Sequence, residues 1–179
     1  MEKYKFLLII LGIGSIILLF PQCKNSKKEK KPTQNTTPRQ ELKEVRYSFE
    51  NPPKFRQDGE LNFIDSTSNE IIFKINIEIV STDMERALGL MFRPEMDEDK
   101  GMLFLMDKEE RQSFYMRNTI IPLDIIYVNS KFQIVDIYKN TKILDDSSLP
   151  SAAPARYVVE INGGLCDKYN IKVGDSIYF

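Results

Sequence analysis

The 179-residue chain is 42% hydrophobic, carries a formal net charge of −1, and contains neither histidine nor tryptophan. The missing histidine excludes Ser-His-Asp, Cys-His and histidine–metal centres within the chain, leaving acid–base chemistry to Asp, Glu, Lys, Tyr or Cys. The charge is divided: residues 24–46 carry eight Lys/Arg against three Asp/Glu (+5), and residues 47–179 carry 15 against 22 (−7). The acidic part lacks the basic footprint that nucleic acid requires, so no nucleic-acid partner is expected.

The chain opens with Lys3 and Lys5, then an uncharged apolar run over 6–20, then Pro21 and Cys23. Fifteen residues are short for a spanning helix, which needs about 20, and suit the apolar region of a signal peptide. The pattern resembles a bacterial lipoprotein signal: residues 1–22 are removed, Cys23 is acylated, and the protein sits on the exported side of the cell envelope, held to a membrane by its lipid. Phe20-Pro21-Gln22 departs from the small residues usual before such a cysteine. An uncleaved anchor is the rival topology, since Lys24, Lys27, Lys28, Lys30 and Lys31 outweigh Lys3 and Lys5 under the positive-inside rule. Acylation of Cys23 leaves Cys166 without a disulfide partner. Residues 23–46, rich in Lys, Asn, Thr, Gln and Pro, read as a disordered tether with a root-mean-square reach of roughly 25 Å.

The folded part is predicted over 47–179. A first strand is expected at 61–65. It is followed by a Thr67-Ser68-Asn69 turn and a half-buried, antiparallel strand over 71–80, with Ile71, Phe73, Ile75, Ile77 and Ile79 on one face and Lys74, Asn76 and Glu78 on the other. Thr82 and Glu85 form a capping box at the start of a short helix that ends at Gly89. Further strands are expected at 102–106, 113–117, 123–128, 132–138, 156–161 and 175–179, with a tight turn at 129–131 and a proline-containing loop over 144–155. A second short helix over 164–169 ends at Asn170, a residue tolerant of the left-handed conformation. Eight short strands and two helical turns predict a mainly β domain, a single barrel or sandwich.

Several blocks in this order carry a resemblance. They are Thr82-Asp83-Met84-Glu85-Arg86, Gly89-Leu90-Met91-Phe92-Arg93, Gly101-Met102-Leu103-Phe104, Phe114 through Thr119, Pro122-Leu123-Asp124, Pro154 through Glu160, and Val173-Gly174-Asp175. Over about 61–179 the chain resembles the domain-of-unknown-function family 192 (DUF 192). That resemblance implies a compact β-rich fold with short helices and no established activity. Tyr115 stands where the family commonly has tryptophan, Asn170 replaces a helix-ending glycine, and Cys166 sits where small residues are usual, a packing position.

Asp124 shares a strand face with Ile126 and Val128, so an inward face makes it a buried carboxylate in need of a partner. Arg86, Arg93, Arg117 and Arg156 are candidates, as are amides of the 118–121 turn. Arg117, Asn118 and Thr119 end a strand and open a loop, where binding residues collect. The alternative for Asn118 and Thr119 is loop closure through the local backbone. The scattered methionines lack ligand spacing and read as packing, and Asp97-Glu98-Asp99 reads as solvated charge. No metal or cofactor is expected. The leading expectation is a non-catalytic module binding an envelope glycan, peptide or protein through Arg117, Asn118, Thr119, Asp124, Arg86 and Arg93. Two alternatives stay open: a hydrolase of envelope glycans using Asp124, with Glu160 as a conceivable second carboxylate, and a structural accessory of the envelope.

Overall fold

Ile75, Ile77 and Ile79 alternate with polar residues, and the chain there is extended: β1 (Gly59–Ile64) and β2 (Ile71–Val80) form an antiparallel pair closed by the turn at Asn69, whose φ is +58°. The computed structural model describes residues 46–179; the predicted signal segment, Cys23 and the predicted tether up to residue 45 lie outside the described residues. Beyond β2 come α1 (Asp83–Leu88), β3 (Lys100–Glu110), β4 (Ser113–Phe114), β5 (Leu123–Val128) and β6 (Ile134–Tyr138). Then follow β7 (Leu149–Pro150), β8 (Ala155–Asn162), α2 (Leu165–Lys168) and β9 (Ser176–Tyr178).

Seven strands make one sheet in the order β6-β5-β8-β3-β2-β1-β9. The sheet curls until its two edges meet at one end. There the amide of Ile134 donates to Asp175 O (2.8 Å), that of Gly174 to Ile134 O (2.9 Å) and that of Ile177 to Phe132 O (2.9 Å). All pairings are antiparallel except β2 with β3, which is parallel. The expectation of a purely antiparallel setting for β2 is therefore corrected on one side. A parallel pair requires a crossover, and α1 with the segment after it supplies one. Thr82 caps α1 as predicted: its Oγ1 accepts the Glu85 amide at 3.3 Å, and Glu85 Oε2 accepts the Thr82 amide at 3.1 Å. Gly89 ends the helix at φ +48°.

Every strand of the sheet contributes to the core inside the curl: Leu61, Ile77, Leu103, Ile126, Ile134, Val159 and Ile177 are among its buried residues, and Leu165, Cys166 and Ile171 join from α2 and its exit. At Gly101 a Cβ would lie 2.8 Å from Glu160 O and 2.9 Å from Ile75 Cδ1, so only glycine lets β3 approach its neighbours there. The sheet's other face carries a second core, built on Val80, Met102, Phe104, Leu123, Ile125, Tyr127 and Val158. This is why β5 is buried at all six positions and reads as an almost continuous apolar run.

The second core is covered by α1 and by a two-stranded sheet, β4 with β7. Two expectations change here. The predicted strand over 113–117 is reduced to its first two residues, and the 144–155 loop contains β7. β7 is held by side chains rather than by its own alternation: Tyr127 Oη donates to Leu149 O, and Tyr138 Oη donates to Pro150 O at 2.8 Å. The supposedly outward face of β2 is also covered, so Glu78 is buried rather than solvated.

Candidate functional site

The face that Asp124 shares with Ile126 and Val128 is the inward one, and its side chain is fully buried. Among the described residues no arginine bonds it, and neither do the amides of the 118–121 turn. Its Oδ1 accepts the amides of Asn140 (2.7 Å) and Gly164 (3.0 Å), and its Oδ2 accepts the amide of Cys166 (2.7 Å). The reason is topological. α2 begins at Gly164, which has no capping side chain, so a carboxylate from β5 supplies the acceptors its first turn needs. Asp124 is a strut joining β5, the turn after β6 and α2. Burial and the nearby Asp124 carboxylate also push the Cys166 thiol up, away from a reactive thiolate.

The remaining predicted residues fall on the opposite face. Arg117 Nε donates to Asp146 Oδ1 at 2.9 Å, and its guanidinium lies 5.2 Å from the Tyr115 ring centroid. Asn118 takes φ +53°, and its carbonyl accepts the amide of Phe92, another left-handed residue, at 2.8 Å. Thr119 is 4% exposed and donates its hydroxyl to Arg117 O at 3.2 Å. Thr119 thus closes the local loop, whereas Asn118 ties that loop to the distant segment of Met91 and Phe92. Arg86 clamps α1 to β3: its terminal nitrogens donate to Ser81 O (2.6 Å), Leu105 O (2.8 Å), Asp83 and Asp107. Arg93 forms a buried two-pronged pair with Glu78, and its Nε has no partner among the described residues. The six residues therefore do not form one cluster, and Asp124 is separated from the other five by the sheet.

What the structure does assemble is a cleft of about 280 Å³ between α1, the turn through Gly89 and Met91, β3 and β4. Its walls are Leu90, Met91, Phe104, Met106 and Phe114, with Arg86 and Asp83 also lining it. Phe114 stands edge-on to Phe104 (centroids 4.9 Å apart, planes at 87°), which fixes the aromatic wall. Two polar side chains line it from buried positions, Thr119 and Glu160. Of the six expected residues, Arg86 and Thr119 reach this cleft.

Glu160 is the residue that sequence reasoning underweighted. It sits on β8 opposite Met102, which in turn sits opposite Glu78 on β2. The two glutamates occupy one cross-strand row, their backbones two strand spacings or roughly 10 Å apart. Glu78 is neutralised by Arg93. Glu160 is 5% exposed, and no hydrogen bond among the described residues reaches its carboxyl group. Burial pushes that group up from 4.5 to about 8, and the positive charge of Arg93 acts against the shift. At neutral pH it is mostly the unionised acid. The pairing of Glu160 with Asp124 as two catalytic carboxylates is corrected by register: Asp124 faces Ile161 on β8 and lies within the first core, whereas Glu160 lies over the second.

The raised carboxyl makes stability depend on pH. A group raised from 4.5 to about 8 on folding contributes its stabilisation fully below pH 4.5 and loses it as pH climbs through about 8. Relative to Glu160→Gln, the wild-type chain is expected to lose on the order of 3 kcal/mol between pH 4.5 and neutrality. Parallel urea titrations of the two proteins across that range check this; curves that run parallel contradict it.

Among the described residues no helix is long and apolar enough to cross a membrane, and no group of three or more acidic or cysteine side chains is placed to hold a metal. The fold recurs in solved proteins. A protein of unknown function from Novosphingobium aromaticivorans superposes with a TM-score of 0.64 at 36% identity, covering 72% of this chain and 92% of that one. A candidate transcription regulator from Sinorhizobium meliloti superposes with a TM-score of 0.66 at 26% identity, covering 70% and 97%. The UPF0127 protein PF1050 of Pyrococcus furiosus is 28% identical over 109 residues, which is 58% of this chain and 86% of that protein. The profile of DUF192, described as Uncharacterized ACR, matches residues 64–179, from the end of β1 to the last residue, and the chain belongs to that family.

Proposed function

We propose that this protein is a lipid-anchored component of the cell envelope whose domain binds a small organic ligand in the cleft beside Glu160. The observation that carries the reading is a buried carboxyl group with no hydrogen-bond partner among the described residues, lining a cleft whose walls are mainly apolar and aromatic and whose polar lining is Asp83, Arg86, Ser113 and Thr119. Pockets with apolar walls and a few placed polar groups are the usual form of a small-molecule site. The anchor rests on the apolar run before Cys23 and the polar tether after it. An anchored binding module gains from the tether, which sets its reach and local concentration. The acidic charge of 47–179 argues against a nucleic-acid role of the kind ascribed to the Sinorhizobium relative.

Two measurements test this. Cells expressing the chain and fed a tagged fatty acid are expected to label it, and Cys23→Ser is expected to abolish the label; labelling that survives the substitution removes the anchor. A thermal-shift screen of the full chain in detergent covers oligosaccharides, peptides, amines, alcohols and organic acids. A ligand at 100 times its Kd adds about 2.7 kcal/mol, a shift of several degrees. Ala87→Trp, a substitution at an exposed position on the cleft wall, is expected to erase the shift without destabilising the fold. A shift that survives it places the ligand elsewhere.

A further inference from the structure

We infer that the cleft takes an organic ammonium ion, a primary amine carried on a short alkyl or single-ring body, with Glu160 as its counter-charge. The inference rests on the ligand-binding reading above and gives that ligand a chemical class.

The charges around the cleft leave Glu160 as the odd one out. Glu78 takes both terminal nitrogens of Arg93, whose Nε has no partner among the described residues and which is not part of the cleft wall. Arg86 commits its terminal nitrogens to two carbonyls and to Asp83 and Asp107. Arg117 is paired with Asp146. An anionic ligand would find no uncommitted cation on the cleft wall and would meet the Glu160 carboxyl group. The free polar capacity of the cleft is acceptor capacity. Thr119 donates its hydroxyl proton to Arg117 O, which leaves its lone pairs available. Glu160, once ionised, accepts only. An ammonium group brings three donors and no acceptor, which is the complementary set.

The apolar walls favour the same class. Phe104 and Phe114 offer ring density and Met91 and Met106 polarisable sulfur, surroundings that attract a cation as well as its apolar body. Asp83 and Arg86 line the cleft, Asp107 pairs with that arginine from β3, and residues 47–179 are acidic as a whole, so the long-range field also draws cations. A volume of about 280 Å³ is at the small end for ligand sites, which suits a one-ring or short-chain amine.

Binding carries a proton signature. The ammonium pairs with ionised Glu160, so a protein that starts with this carboxyl protonated releases that proton to solvent. The groups bearing on it are Arg93 from the segment after α1, Glu78 through that arginine, Asp83 and Arg86 from α1, and Tyr127 from β5. Burial holds the Tyr127 phenol well above its ordinary value and the hydrogen bond to Asp83 raises Arg86, and Glu160→Gln, which is expected to abolish the release, assigns the proton to Glu160.

The test is calorimetric titration of the full chain in detergent with 2-phenylethylamine, butylamine and tryptamine, each beside its alcohol counterpart, and with phenylacetate. At least one amine is expected to bind about tenfold tighter than its alcohol, with phenylacetate silent. The amine's binding heat is expected to vary with the buffer's ionisation enthalpy, reporting about one proton released near pH 7. Glu160→Gln is expected to weaken that amine about tenfold while leaving the alcohol unchanged, and Ala87→Trp to remove both. If Glu160→Gln fails to fold, the Ala87→Trp result and the proton count still decide the matter. An alcohol that binds as well as its amine without proton release, or amine binding indifferent to Glu160→Gln, overturns the ammonium assignment and leaves the cleft standing as a site for neutral ligands. No binding by any amine below about 1 mM overturns the assignment too, and the broader thermal-shift screen then judges the cleft on its own.

Discussion

Asp124→Ala is expected to destabilise the domain by about 4 kcal/mol, because it strands three amides at once. The Cys166 amide is fully buried, and those of Asn140 and Gly164 are partly so. Each buried donor left without an acceptor costs about 1–3 kcal/mol, and the partly buried ones recover some of that from water. The damage is concentrated at one end of the curl, since Leu165, Cys166 and Ile171 belong to the first core and depend on the placement of α2. Asp124→Asn keeps one acceptor oxygen but turns an NH₂ group toward backbone N–H, so it is expected to lose about half as much. Urea midpoints and hydrogen exchange at residues 164–171 measure both. If Asp124→Ala melts within about 2 °C of the wild type, α2 is held by its apolar contacts alone and the strut is dispensable.

Arg93→Ala is expected to cost about 3–5 kcal/mol, the range for removing one partner of a buried ion pair. The Glu78 side chain is 6% exposed and would be left as an unpaired carboxylate between β3 and the segment before Arg56. The same substitution removes the positive charge that acts against the rise of Glu160, so that carboxyl group is expected to titrate higher still. Replacing both partners, Glu78→Leu with Arg93→Met, is expected to restore most of the stability, because a packed apolar pair carries no desolvation cost. Thermal melts of Glu78→Leu, Arg93→Met and the double variant beside the wild type form the cycle that reads the pair's coupling. A double variant as unstable as Arg93→Ala would mean that the loss comes from packing of the arginine stem rather than from the stranded charge.

The local elements were legible in the sequence for reasons that act over a few residues. Alternation along 71–80 marked β2, Thr82 with Glu85 marked the first turn of α1, and Gly89 and Asn170 marked positions where φ turns positive, +48° and +54°. The spaced motifs identified the family, and the period of Leu123–Val128 put Asp124 on one face with Ile126 and Val128, leaving open whether that face is inward. β7 left no such mark, since Leu149-Pro150 is held by hydroxyls of Tyr127 and Tyr138 from other strands.

By itself, then, the sequence determined the two helical turns and the strands of the large sheet, but not the small sheet of β4 and β7. The first two are properties of the chain's own period and caps. Only the tertiary structure decided what covers the large sheet's other face. A strand position reads as solvent-facing when its residue is polar, and Glu78 reads that way although the fold buries it against Arg93. Only the tertiary structure chose the partners of Asp124, which come from 16 to 42 residues further along the chain. The reason is the same in each case: a buried charge is defined by what surrounds it, and those surroundings come from segments whose local pattern does not record which distant group they will meet.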